Sequence, residues 1–217
     1  RQYKEHLGVV FDDLRVPDKL TLQSINKVFT EIYDAWNSDT FFSLIKAFEL
    51  PTNNQIKTFS RGMRMKAALT IALSHDAKLL ILDEATAGMD VSGREHVLEI
   101  LEDYLGDDRA ILISSHISED IEQLATQLVF MRDGRIILKE SKEVLLSQYG
   151  IIDQPVEHFN ISNEYLIATR RRNDRQISLV NNYQKVPDAQ PLKTIDDATK
   201  IITVSYTHLR AHETRHD

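Results

Sequence analysis

Apolar positions along this chain change period several times, and each change marks an expected element. The run LGVV at 7–10 reads as a short buried strand, followed by a polar turn at Phe11, Asp12 and Asp13. Leu22, Ile25, Val28, Phe29, Ile32 and Trp36 then recur at the three-and-four spacing of a helix with one apolar face, with Thr21 as its N-cap. A second helix is expected from 39 to about 50, capped by Asp39 and stopped by Pro51. A third opens at Ser60 and runs to about 74, because Met65, Ala68, Leu69 and Leu73 keep the helical period.

KLLILD at 78–83 and RAILIS at 109–114 are continuous apolar runs, with a helical stretch over about 92–105 between them. Strand, helix, strand with fully apolar strands predicts a parallel sheet covered on both faces. LVFM and RIILK flank the Asp133-Gly134 turn and read as an antiparallel hairpin at the edge of that sheet. After Gly150 the periodicity weakens, with YLIAT and QISLV as two further strands and a short helix near Ile195. The expected division is a main α/β domain over 1–147, with a helical segment at about 20–77, and a small accessory α/β unit over 148–203. No internal repeat or low-complexity segment is visible.

The 217 residues, 42% hydrophobic and 27% charged, suit one globular domain with a core and a small appendage. A formal net charge of -7 argues against a broad nucleic-acid footprint, which needs a strongly basic face. The absence of cysteine excludes disulfides and thiolate metal sites. No apolar run approaches the roughly 20 residues that span a bilayer, so a membrane role would run through a partner. Arg1 in place of Met, leading directly into RQYKEH, reads as a cut end. The final stretch, TVSYTHLRAHETRHD, changes character abruptly and resembles a reading frame continued into ligated adapter DNA, so 204–217 is set apart as a non-native tail. His208, His212 and His216 have the spacing of one helix face and of a metal site, but they fall inside that tail and are set aside.

The most specific chemistry lies in LLILDEAT at 79–86. An apolar strand ending in Asp-Glu puts two carboxylates at the carboxyl edge of a parallel sheet, where open α/β folds bind ligands. Asp83 suits Mg²⁺, directly or through water, and Glu84 suits a water attacking a phosphate. A strand followed by an acidic helix cap is the plainer alternative. Just upstream, FSRGMRMK at 59–66 sets a hydroxyl, Ser60, and a bare backbone, Gly62, at a helix N-terminus. Unpaired N–H groups and the helix dipole can meet a phosphate there, although a capped helix without a ligand fits the same residues. AGMD at 87–90 follows, and ILISSH ends a strand at His116, a residue type that is more often structural than catalytic when it stands alone.

In this order the four segments resemble the signature, Walker B, D-loop and switch histidine of the ABC transporter nucleotide-binding subunits, over 59–116. The resemblance implies an α/β fold of the P-loop NTPase type: a parallel-sheet core, an inserted helical subdomain and a small C-terminal α/β extension. It implies ATP and Mg²⁺ as ligands, and two such domains packed head to tail with each ATP between the phosphate loop of one and the signature helix of the other. Ser60, Arg61, Gly62 and Met63 would meet the partner's nucleotide. Asp83 would organise Mg²⁺, Glu84 would act as base on the water, His116 would hold the γ-phosphate, and Asp90 would contact the partner domain. LGVVFDD falls where the family's Q-loop glutamine contacts Mg²⁺, and Asp12 stands there instead, able to ligate a cation yet shorter and charged. Arg61 and Met63 depart from the plain LSGGQ form, and the Arg-Gly-Met form resembles the exporter-like branch. IDDATKII near Ile195 looks like the close of that branch's short C-terminal extension.

The implied setting is the cytoplasm, at the inner face of the cell membrane through a permease, with no nucleic acid as partner. The alternatives are an ABC ATPase acting on ribosomes or DNA, which usually carries tandem cassettes, coiled-coil insertions or basic extensions, and a non-hydrolysing regulatory module, which need not keep Glu84. None of the seven glycines lies in G-x-x-x-x-G-K-[ST], whose backbone cradles phosphates. In the family that loop precedes the Q-loop, together with an aromatic residue that stacks on adenine. The chain is therefore expected to be an N-terminally truncated piece, inactive by itself, of a dimeric ATPase.

Overall fold

The computed structural model describes residues 5–204, so all of the expected tail but Val204, with His208, His212 and His216, lies outside the described residues. The chain divides into two compact units, 1–124 and 125–217. In the first, β1 (Leu7–Val10), β2 (Leu79–Asp83) and β3 (Ala110–Ser114) form a parallel sheet in that order. Three helices connect β1 to β2: α1 (Leu22–Ile32), α2 (Ser38–Ala47) and α3 (Arg61–Leu73). α4 (Val91–Tyr104) connects β2 to β3, and α5 (Ser118–Leu124) follows β3.

Capping explains where these helices begin. Thr21 Oγ1 accepts the Ser24 N–H at 3.1 Å and opens α1 as expected. α2 differs: Asn37, not Asp39, is its cap, accepting the Thr40 N–H at 2.8 Å, while Asp39 sits in the first turn where its charge complements the dipole. α2 also stops before Pro51 takes effect. Glu49 turns left-handed at φ 55, and the amides of Glu49 and Leu50 return to the carbonyls of Lys46 and Ile45 at 3.1 and 2.9 Å, a closure completed by the buried pair Ile45 and Leu50.

One apolar cluster runs from the helical segment into the sheet, joining Leu22, Ile25, Phe41, Ile45, Ile56, Met65 and Leu69 to Val10, Leu80, Leu82, Val97 and Leu101. The helices that frame the signature segment are thereby fixed to the strands that carry the carboxylates. Among the described residues only one face of the sheet is covered, where two-sided cover was expected. Register places Val9, Ile81 and Leu112 together on the other face, where Val9 is 39% and Leu112 60% exposed.

In the second unit, β4 (Gln127–Arg132) and β5 (Arg135–Ser141) turn at Asp133 and Gly134, both at positive φ, as a tight two-residue hairpin requires. The hairpin forms a sheet of its own among the described residues, rather than an edge of the parallel sheet. α6 (Lys142–Gln148) is capped by Ser141 and leads into β6 (Gly150–Pro155). β7 (Leu166–Arg172), β8 (Arg175–Val180), β6 and β9 (Gln190–Pro191) make an antiparallel sheet in the order β7-β8-β6-β9. α7 (Ile195–Val204) packs against β4, β7 and β8, and Arg132 Nη1 donates to the Ile202 carbonyl at 2.9 Å. Because α7 grips the hairpin in this way, the boundary between compact units falls at 124/125, ahead of the 147/148 boundary drawn from the sequence. No helix among the described residues is long and apolar enough to cross a membrane.

Candidate functional site

Parallel strands bring their carboxyl ends to one edge, and the register here pairs Val10 with Leu82 and Asp83 with Ser114. Asp12, Asp83, Glu84 and His116 therefore leave the sheet at the same edge. Asp83 is exposed and accepts the Ser114 hydroxyl at 2.6 Å. Glu84 occupies the left-handed region at φ 53, a conformation that costs a non-glycine residue roughly 1–2 kcal/mol. Its N–H donates to the Ser114 carbonyl at 3.1 Å, and its carbonyl accepts the Ala87 N–H at 3.0 Å, which holds the strained turn in place. Glu84 Oε2 lies 2.5 Å from His116 Nδ1. A carboxylate can only accept, so Nδ1 carries the proton and Nε2 is left for another partner. The sequence suggested separate duties for Glu84 and His116; the structure joins them, and no spacing rule across a separation of 32 positions could have foretold that bond.

The signature segment forms a second feature of the same unit. Ser60 Oγ accepts the Met63 N–H at 3.2 Å as N-cap of α3, while the first-turn amides of Arg61 and Gly62 have no intrahelical acceptor. Gly62 lies against the turn that follows the carboxylates: a Cβ there would come within 3.3 Å of the Gly88 carbonyl oxygen and 3.7 Å of Met89 Cα. Its bare backbone thus serves a close approach within the chain. Asp90 caps α4, its Oδ1 accepting the Gly93 N–H at 3.1 Å. Ser60, Gly62, Lys66, Gly88 and Asp90 line a cavity of about 270 Å³. Arg61 is exposed and its side chain lies against Gly88, whereas Met63 lines the cavity and also packs against the core. Lys66 was not singled out from the sequence; its only signal there was the basic stretch after the Ser-x-Gly pair.

Arg64 is a further residue that the sequence did not reveal. Its guanidinium meets Asp13 at 2.7 Å (Nε to Oδ1) and 3.2 Å (Nη2 to Oδ2), and reaches Asp18 at 3.0 Å and the Leu14 carbonyl at 3.2 Å. This tether joins α3 to the segment after Asp12. The Arg64 hydrogen bond holds the Asp13 carboxyl below its ordinary value against the opposing effect of burial, and Asp13 in turn raises Arg64.

Asp12 is exposed after β1, and no described contact joins it to the other candidate residues. Among the described residues no group of three or more His, Cys, Asp or Glu side chains could hold a metal ion by itself. The single exposed carboxylate of Asp83 fits Mg²⁺ of the kind that keeps waters and substrate phosphate oxygens as its remaining ligands.

Comparison with known proteins bears on this arrangement. The family model described as "ABC transporter" matches residues 1–87. The lantibiotic transport ATP-binding protein SrtF of Streptococcus pyogenes is 37% identical over 116 residues, covering 54% of this chain and 47% of the relative. The ABC transporter ATP-binding protein NatA of Bacillus subtilis is 27% identical over 150 residues, covering 66% of this chain and 61% of the relative. The chain thus spans about half the length of the curated relatives it matches. Among solved structures, the ATP-binding subunit of an ABC transporter superposes with a TM-score of 0.60 at 21% identity, over 66% of this chain and 62% of the other. A dimeric, post-hydrolysis ATP-binding cassette bound to ADP and Pi superposes with a TM-score of 0.55 at 19% identity, over 62% of each chain. At these identities the structural likeness establishes the fold. Family match, relatives and fold agree in one likeness: the chain is similar to the ATP-binding domains of ABC transporters.

Proposed function

We propose that this chain is part of the ATP-hydrolysing subunit of an exporter-like ABC transporter, working as a dimer at the cytoplasmic face of a membrane permease. The observation that carries the reading is the Glu84–His116 hydrogen bond at the carboxyl edge of a parallel sheet. In this position Glu84 acts as general base on the attacking water, and a base within hydrogen-bond reach of its proton contributes typically 100- to 10,000-fold in rate. His116, fixed through Nδ1, keeps Nε2 for the γ-phosphate. Asp83, with Asp12 as a further oxygen donor, would hold Mg²⁺, and the ion would supply charge neutralisation on the phosphate oxygens.

The α3 N-terminus serves the second nucleotide of the dimer. The amides of Arg61 and Gly62 and the dipole of α3 favour an anion, Ser60 and Met63 border it, and Lys66 adds a positive charge to the same cavity. Asp90 contacts the partner domain beside that cavity. SrtF is described as a lantibiotic transport protein, which supports a transport role here.

The test is ATP turnover. The 217-residue chain contains no G-x-x-x-x-G-K-[ST] and is expected to hydrolyse no ATP when assayed by itself. Joined ahead of residue 1 to a phosphate-loop segment taken from a relative, it is expected to gain turnover. Equal turnover in the chain with and without that segment would sink the proposal.

A further inference from the structure

Asp120, in the first turn of α5, is fully buried, and nothing in the hydrolytic reading uses it. Its Oδ2 accepts two hydroxyls, Thr86 Oγ1 at 2.5 Å and Ser115 Oγ at 3.1 Å. Its Oδ1 faces Arg94 Nε at 3.6 Å, and both of those atoms are buried without a hydrogen-bond partner. The three neighbours sit on three segments that carry the chemistry. Thr86, itself 1% exposed, lies two residues after Glu84; Ser115 immediately precedes His116; and Arg94 lies near the start of α4, the helix that Asp90 caps.

A carboxylate taken out of water is costly, and well-packed apolar side chains are often no less stable in its place. The cost is understandable if the group fixes a geometry. The Glu84–His116 bond needs such fixing: its side chains are 32% and 71% exposed, and an ion pair at such a surface adds little by itself and does not hold two loops in register. Asp120 binds the residue next to His116 and the residue two beyond Glu84 through one oxygen atom. Ser115 Oγ, while donating to Asp120, also accepts the Ile117 N–H at 3.0 Å, so the loop is pinned on both sides of the histidine.

We infer that Asp120 is a positioning residue, a buried clasp that ties the Glu84 turn to the His116 loop and thereby sets the bond between them. The inference rests on the reading of that pair as the hydrolytic centre, but its test uses no nucleotide. A turnover assay can therefore fail while the clasp stands, and the reverse.

The experiment is long-range ¹H–¹⁵N spectroscopy of the histidine rings in the full 217-residue chain at pH 8.5, above the ordinary histidine range of about 6.5. The His116 signal is assigned by its loss in His116→Gln. The wild-type chain is expected to hold His116 mainly as the Nδ1–H tautomer, and Glu84→Gln to release it to the Nε2–H form usual in water. Asp120→Asn is expected to release it as Glu84→Gln does. Ser115→Ala and Thr86→Val, each removing one hydroxyl, give the same reading if Asp120→Asn does not fold. Ile25→Val, in the same core but away from the clasp, destabilises the unit and is expected to leave the tautomer unchanged. Retention of the Nδ1–H form in folded Asp120→Asn, or in both hydroxyl variants, overturns the inference. So does its loss in Ile25→Val.

Discussion

The N-terminus of α3 and the carboxyl edge of the parallel sheet carry the two halves of the proposed site, and they are built on opposite terms. At α3 the candidate residues also close local structure. Ser60 caps α3, Asp90 caps α4, and Gly62 lets the helix lie against the Gly88 carbonyl. At the sheet edge the candidates work against local structure. Glu84 is held at φ 53, and the His116 side chain is 71% exposed. A motif looks equally purposeful in both places, yet only the second keeps an unfavourable backbone conformation, the kind of feature that gathers at reactive centres.

Stability measurements on the 217-residue chain can break or sharpen this contrast. The largest effect is expected at Gly62→Val, where a branched side chain would be driven into the Gly88 carbonyl oxygen, 3.3 Å from the Cβ position. Overpacking of this kind costs about 1–3 kcal/mol, read as a lower urea midpoint with an unchanged slope. An unchanged midpoint would mean that the close approach of α3 to the turn is not structural. Next, Ser60→Ala is expected to cost about 1 kcal/mol through loss of the cap, with Ser60→Thr retaining most of it.

Glu84→Gly should move the other way, by up to about 1 kcal/mol, since glycine takes the left-handed conformation without strain although it adds entropy to the unfolded chain. If Glu84→Gly instead lowers the midpoint, the bond to His116 outweighs the strain and the contrast between the two regions collapses. The smallest effect belongs to Asp13. Its folded value lies below the ordinary 3.8, so it favours the folded state fully above that pH and loses this contribution as the pH falls through the lowered value. Wild type should exceed Asp13→Asn in stability near neutral pH by a small margin, because the carboxylate is more than half exposed, and the two should converge in acid. A gap that persists in acid would assign the effect to something other than the Arg64 pair.

What the sequence disclosed follows the same division. β1, β2 and β3, the helices at α1, α3 and α4 and the hairpin at Asp133 were legible because each rests on local rules: apolar runs, a three-and-four period, a capping hydroxyl, a turn that tolerates positive φ. The cap of α2 was assigned two residues late, since Asn37 and Asp39 offer equivalent oxygens and only the backbone decides between them. Cover on the second face of the sheet is not met among the described residues, because an apolar strand reports what its residues suit rather than what lies over them. The separate hairpin sheet and the grip of α7 on β4 depend on long-range packing that no local period encodes. Within the site, the residue types and their edge were readable. The Glu84–His116 bond, the Arg64 tether and the Asp120 clasp were not, since each joins positions about 30 to 50 apart in sequence.

The central claim is that Glu84 is kept in an unfavourable conformation for chemistry. Its most direct test is Glu84→Gln in the chain joined to a relative's phosphate-loop segment, with ATP turnover and urea midpoint read on the same preparation. The account predicts a fall in turnover of at least about 100-fold with little change in the midpoint. Turnover within about twofold of the unsubstituted protein would contradict it, because a general base contributes far more than that.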